Sequence, residues 1–243
     1  MHRSIISSAA FAVHLVWAGM ACAAQLRVEP ILLELNAPSA AASLTLRNDE
    51  DADVFVQTRV FRWTQSEGRE SLEPTTDVVA SPPAVKLPPH ADYVVGVVRV
   101  AKQPVLGEES YRVIIDQLPR IGSNQTRSVN FLIRQSIPVF FRGREFSKPS
   151  VSWSVGFQDG KLIAAVANGG DERLRIASLR LQDSAGTTVS FGNGLIGYVL
   201  GRSSMRWVGP KYPPGFGSSG PITVTAATDK GQTRAVIESP AHR

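Results

Sequence analysis

The chain has 243 residues, of which 43% are hydrophobic, 19% charged and 7% aromatic, a composition that excludes disordered and collagen-like classes. Its length suits two domains of ordinary size. Lys and Arg exceed Asp and Glu by 26 to 21 with no basic block longer than two, which argues against nucleic acid as a partner, because phosphate binding draws on clustered basic residues. Four histidines (His2, His14, His90, His242) and one cysteine, Cys22, leave too few ligands for most metal or thiol chemistry, and no cofactor is expected.

Residues 1–24 read as a secretory signal. Arg3 supplies the positive start, Ala9 to Met20 the apolar stretch, and Ala21-Cys22-Ala23-Ala24 the small residues of a cleavage site. The apolar run is shorter than a membrane span requires, and no later segment approaches that length, so membrane insertion is not expected. Gly19 stands where a lipid-attachment box has a large aliphatic residue, which disfavours Cys22 as a lipid site. Cleavage after Ala24 leaves a mature chain, Gln25 to Arg243, without cysteine, so its cores must hold without disulfides.

The mature chain reads as strands almost throughout. Runs with alternating or β-branched residues span 26–28, 31–35, 43–46, 54–63, 93–100, 111–118 and 128–141. Seven more span 151–157, 162–166, 174–181, 187–191, 197–200, 222–226 and 235–238. Their length and spacing predict an all-β protein of sandwiches, and no window sustains a capped helical stripe. The clearest break, Phe141 to Pro149, is short and charged and predicts a linker. The domains expected are therefore 25–142 and 149–243.

Several motif-like strings fail on chemistry. Gly192-Asn193-Gly194-Leu195-Ile196-Gly197 fits a dinucleotide fingerprint by spelling, but a strand follows where a helix is needed, and no acid recurs until Asp229. His90 lies in a proline-rich turn without a nucleophile–acid pair in view. Asn124-Gln125-Thr126 is a sequon that reads as an ordinary loop. The acids at 49–51, after Asn48, read as a solvated turn.

The run 128–141 differs from the rest. It is 14 residues long where strands usually have about 5–6. Val129, Phe131, Ile133, Ile137, Val139 and Phe141 share one face, which only Gln135 interrupts, while Pro138 cannot donate a ladder hydrogen bond and belongs at an edge or bulge. Pattern alone leaves two readings open: an inner strand packing its own core, or an edge strand offered to another chain.

Motifs in order then resemble the periplasmic pilus chaperones of the chaperone–usher pathway. They are Ser43-Leu44-Thr45-Leu46-Arg47-Asn48; the proline-rich turn Ser81-Pro82-Pro83-Ala84-Val85-Lys86-Leu87-Pro88-Pro89; Glu109-Ser110-Tyr111 through Leu118-Pro119; and Val139-Phe140-Phe141-Arg142 closing the long run. Val166-Ala167-Asn168-Gly169-Gly170 and Gly197-Tyr198-Val199-Leu200-Gly201 look closest to the archaic branch, whose pili have spore-coat-U-type subunits. The resemblance implies two immunoglobulin-like domains at an angle and a last strand of the first domain that completes an incomplete pilus subunit. It implies Val129, Phe131, Ile133 and Ile137 as the subunit-binding donor strand, and delivery to an outer-membrane usher from the periplasm. It implies binding without bond chemistry, hence no enzyme.

The family's two cationic anchors for the subunit's terminal carboxylate fall at about Leu32 and Pro138, and neither can bind an anion. A carboxylate in a partly desolvated cleft needs a cation or several donors, so Arg112 and then Arg134 are the substitutes expected. The rival reading is an exported immunoglobulin-like pilus subunit or adhesin, but such a subunit is one incomplete domain, commonly with a disulfide. A sandwich-fold hydrolase lacks a nucleophile–base pair.

Overall fold

A computed structural model describes residues 26–119, 132–218, 220–238 and 241–242, and every regular element among them is a strand. The first ten strands are β1 (Leu26–Glu29), β2 (Leu33–Asn36), β3 (Ala41–Asn48), β4 (Val54–Ser66), β5 (Arg69–Pro74), β6 (Val78–Ser81), β7 (Ala84–Leu87), β8 (Asp92–Arg99), β9 (Glu108–Leu118) and β10 (Arg134–Arg142). They form two sheets, ordered β1-β3-β8-β6 and β2-β10-β9-β4-β5, with β7 also on β4. Period-two alternation turns Leu44, Leu46, Val95 and Val97 of one sheet toward Tyr111, Val113, Ile115, Val139 and Phe141 of the other, and these side chains make the first core.

The second group is β11 (Val151–Gln158), β12 (Lys161–Asn168), β13 (Leu174–Gln182), β14 (Thr188–Ser190), β15 (Leu195–Val199), β16 (Ser203–Lys211), β17 (Ile222–Thr228), β18 (Gly231–Ile237) and β19 (Ala241–His242). One sheet runs β16-β12-β11-β19 and the other β14-β13-β17-β18, with β15 on β13. Phe157, Leu162, Ile176, Leu181 and Val224 are among the residues of a separate core. The string Gly192 to Gly197 runs from the turn after β14 into β15, which is the strand-to-strand setting that excludes a dinucleotide site.

Strands beyond those expected are β5, β6, β7, β16 and β19. All six residues of β5 are exposed, so no alternation could mark it. The proline-flanked segment read as a turn carries β7, which pairs Ala84–Leu87 with Val54–Gln57 of β4. Asn48, read as the start of a solvated turn, is fully buried. Its amide donates to the carbonyls of Ala52, Leu87 and Pro88, and its side-chain oxygen accepts from Glu50 N–H. Asn168 is its counterpart in the second sandwich, donating to Glu172 and Leu200 carbonyls and accepting from Ser150 and Gly170 N–H. Each asparagine satisfies backbone groups at a corner where strands end.

The segment between β10 and β11 is clamped. Ser147 exchanges backbone and side-chain hydrogen bonds with Asp171, and a Cβ on Gly143 would lie 2.2 Å from the Val105 carbonyl oxygen, so this close approach requires glycine.

Candidate functional site

β10 has two differently covered halves. Along one side it pairs antiparallel with β9 from Arg134 to Arg142. Along the other, β2 runs parallel to Val139–Arg142, and no strand among the described residues covers Arg134–Pro138. Pro138 therefore sits where the cover ends, the edge position that its missing N–H requires.

The faces of β10 also separate. Ile137, Val139 and Phe141 are buried in the first core. Ile137 is 4% exposed, so its side chain belongs to the protein's own core, and this corrects its expected place among the donor residues: a group already packed inside cannot fill another chain's groove. Ile133 is half-buried, while Val129 and Phe131 lie outside the described residues. Gln135, which breaks the apolar series, donates through its side-chain amide to the Leu26 carbonyl at 2.7 Å.

The opposite face carries an arginine on an aromatic cluster. Arg112 lies directly across from Pro138 on β9, and Phe61 of β4 lies beyond it. In an antiparallel pair, opposed residues project from the same face. Trp63, two residues on from Phe61, supports Arg112, whose guanidinium carbon lies 3.7 Å from the indole centroid. Trp63 in turn packs on Phe140 and Tyr198, with Leu200 and Leu32 completing the cluster. Leu32 and Pro138, the two positions where the resemblance implied cations, thus border the cluster that seats Arg112.

Arg112 is a cation held largely out of water, with 17% of its side chain exposed. Burial lowers its pKa, opposed by Glu70, whose carboxylate is 4.0 Å away, and by Tyr198; it stays charged at any physiological pH. Among the described residues its guanidinium has no hydrogen-bond acceptor. Such a group has unspent donor capacity in a planar fork that matches a carboxylate.

Arg134 differs on every count. Two-thirds of its side chain is exposed, and it donates to Asp116, which also accepts from Arg59 at 2.6 Å. Burial raises the Asp116 pKa, but the two guanidiniums outweigh it and hold the carboxyl below its usual value. Arg134 is four positions from Pro138, about 13 Å along the strand, so it and Arg112 do not converge.

Sequence reasoning missed the contacts that fix this corner between the sandwiches. Gln65 near the end of β4 donates to the Tyr198 carbonyl and accepts from Leu200 N–H, both at 2.9 Å. Arg173 is buried, with its guanidinium 3.5 Å from the Phe140 ring centroid; it pairs with Glu108 at 2.6 Å and with Glu34. Arg142 joins Glu108 to Glu172. Long separation in sequence hid all of these partners. An open groove of about 450 Å³ lies beside Gln65, Glu67, Asn168 and Arg202. His90 is an exposed turn residue paired with Asp51, and no group of three metal-ligating side chains occurs among the described residues.

Comparison with protein families matches residues 25–146 to the pili and flagellar-assembly chaperones, by their PapD N-terminal domain. The chain belongs to this chaperone family. A comparison with curated protein sequences returns no match. Among solved structures, the complex of CsuC with the tip subunit CsuE, from archaic chaperone–usher Csu pili of Acinetobacter baumannii, has 24% identity and a TM-score of 0.66. It covers 90% of this chain and all of that one. The YadV chaperone has 13% identity and a TM-score of 0.62 over 88% of this chain and all of its own. The Salmonella enterica SafA pilin–SafB chaperone complex gives 17% and 0.59, covering 87% and 96%. The chaperone's architecture is accordingly two immunoglobulin-like β-sandwiches.

Proposed function

We propose that this chaperone works in the periplasm, captures incomplete pilus subunits by lending them the β10 edge, and passes them to an outer-membrane usher. The observation that carries this reading is the uncovered side of Arg134–Pro138, next to a desolvated arginine that has no hydrogen-bond acceptor among the described residues. An open edge offers main-chain hydrogen bonds to a partner strand, and alternate side chains beyond it supply specificity. In this reading Val129, Phe131 and Ile133 enter the subunit's groove. Each large apolar side chain so buried contributes on the order of 1.5–3 kcal/mol. Arg112 receives the subunit's terminal carboxylate, and Arg134 remains a solvated ion pair. The division into 25–142 and 149–243, with a signal at 1–24, belongs to the same proposal. So does membership of the archaic branch, with which the resemblance to the CsuC complex agrees.

The test is co-expression in a periplasm with the candidate subunits encoded beside the gene. Wild type should rescue a subunit as a one-to-one complex, and Phe131→Asp or Ile133→Asp should lose it while remaining folded. Polymerisation of this chain with itself would favour a pilus subunit instead.

A further inference from the structure

A second charge crosses the Arg112 corner. Glu70, on the exposed edge strand β5, holds Oε2 4.0 Å from Nη2 of Arg112. Its position is set by register, because Glu70 lies opposite Gln65 and Gln65 is tied at both ends of its amide to Tyr198 and Leu200. Charge-assisted guanidinium–carboxylate pairs close to about 2.7–2.9 Å. At 4.0 Å the Glu70 carboxylate offsets the field of Arg112 without using its donor fork, and with 45% of its side chain exposed it remains hydrated. The nearby acid Glu73 is directed elsewhere, toward the Thr64 hydroxyl.

We propose that Glu70 is an internal stand-in for the incoming carboxylate, balancing Arg112 in the free chaperone and opposing the subunit's C-terminus when it binds. This rests on the reading of Arg112 as the anchor. A free chaperone then avoids an uncompensated, desolvated cation, and a bound subunit is held against a competitor that never leaves the site. The competitor keeps the clamp weak enough for the subunit to be handed on. Half-exposed ion pairs are weak, so Glu70 modulates the binding and does not abolish it.

The probe is N-acetylvaline, a minimal C-terminal carboxylate, with N-acetylvalinamide as its uncharged twin. Each is titrated at constant ionic strength into the mature chain, and the Nε–H resonance of Arg112 is followed by NMR. Glu70→Gln, which keeps size and hydrogen bonding, should lower the half-saturating concentration of N-acetylvaline about 2- to 5-fold. The amide should leave the resonance unmoved in both proteins. Equal half-saturation in wild type and Glu70→Gln overturns the stand-in while leaving the anchor intact. An Arg112 signal indifferent to N-acetylvaline in both proteins overturns the anchor and the stand-in with it.

Discussion

Arg112 illustrates how a single side chain acquires its properties from the strands beneath it. Trp63 covers one face of the guanidinium and Glu70 stands off at 4.0 Å, so the cation is desolvated with no hydrogen-bond acceptor among the described residues. Losing a desolvated charge-assisted pair costs roughly 2–5 kcal/mol, tens- to thousands-fold in affinity. Arg112→Ala should therefore weaken subunit binding at least tenfold. Arg134→Ala, whose partner is Asp116, and the exposed Arg234→Ala should change it little; measured affinities that leave all three level would refute the assignment. A second residue-scale prediction concerns acid. Burial works against ionised Glu109, but hydrogen bonds from Arg99 and Tyr111 outweigh it and hold its pKa below the ordinary 4.5. A carboxyl lowered in the folded state stabilises above its unfolded pKa, and that contribution is lost as pH falls below about 4.5 and through the folded value. Melting temperatures should drop on acidification from pH 5 to 3, and Glu109→Gln should be less stable at pH 7 with a flatter drop. A parallel decline in both proteins would show that Glu109 does not carry this effect.

At the scale of the strand, β10 changes role along its length. Ile137 is sealed in the first core, whereas Ile133 is half-buried just before the edge begins to pair. Ile137→Asp buries an unpaired charge and should unfold the first sandwich. Ile133→Asp should melt within a few degrees of wild type and yet fail to capture subunit, as read by thermal melting beside a pull-down. Unfolding by Ile133→Asp would make that residue plain core and remove it from the donor set. The same contrast explains what could be read in advance. Alternation located β3, β4, β12 and β17, since a half-buried strand must alternate, and it marked the common face of Ile133 and Ile137. It could not locate β5, whose residues are all exposed, and therefore could not bring Glu70 to Arg112. Nor could it show where one apolar face leaves the protein's own core, a border that falls between buried Ile137 and half-buried Ile133. The place of Arg112 opposite Pro138 was accessible as a pairing of neighbouring strands, but Trp63 beneath it was not.

For the whole molecule, the question is what keeps two separately cored sandwiches in one arrangement. Two kinds of contact meet at β10. Apolar packing joins Trp63, Phe140 and Leu32 of the first sandwich to Tyr198 and Leu200 of the second. Beside it, Arg173 stacks on Phe140 and reaches both Glu34 on β2 and Glu108 at the start of β9, while Arg142 and Lys230 meet on Glu172. Glu108 and Arg173 are almost wholly buried, and removing one partner of such a pair typically costs about 3–5 kcal/mol because the other charge is left unpaired. Arg142 remains 3.3 Å from Glu108 and softens that loss. Arg173→Met should accordingly leave each sandwich folded but loosen their junction. The expected signs are a larger radius of gyration by solution scattering, unchanged far-ultraviolet dichroism, and subunit capture reduced about tenfold or more. Pairing it with Glu108→Gln, which removes the stranded charge, should recover part of the compactness. If Arg173→Met keeps both the scattering profile and full capture, the aromatic cluster and the Gln65 hydrogen bonds hold the domains without the ion network, and the geometry of the cleft would then have to be sought in Trp63, Phe140 and Tyr198.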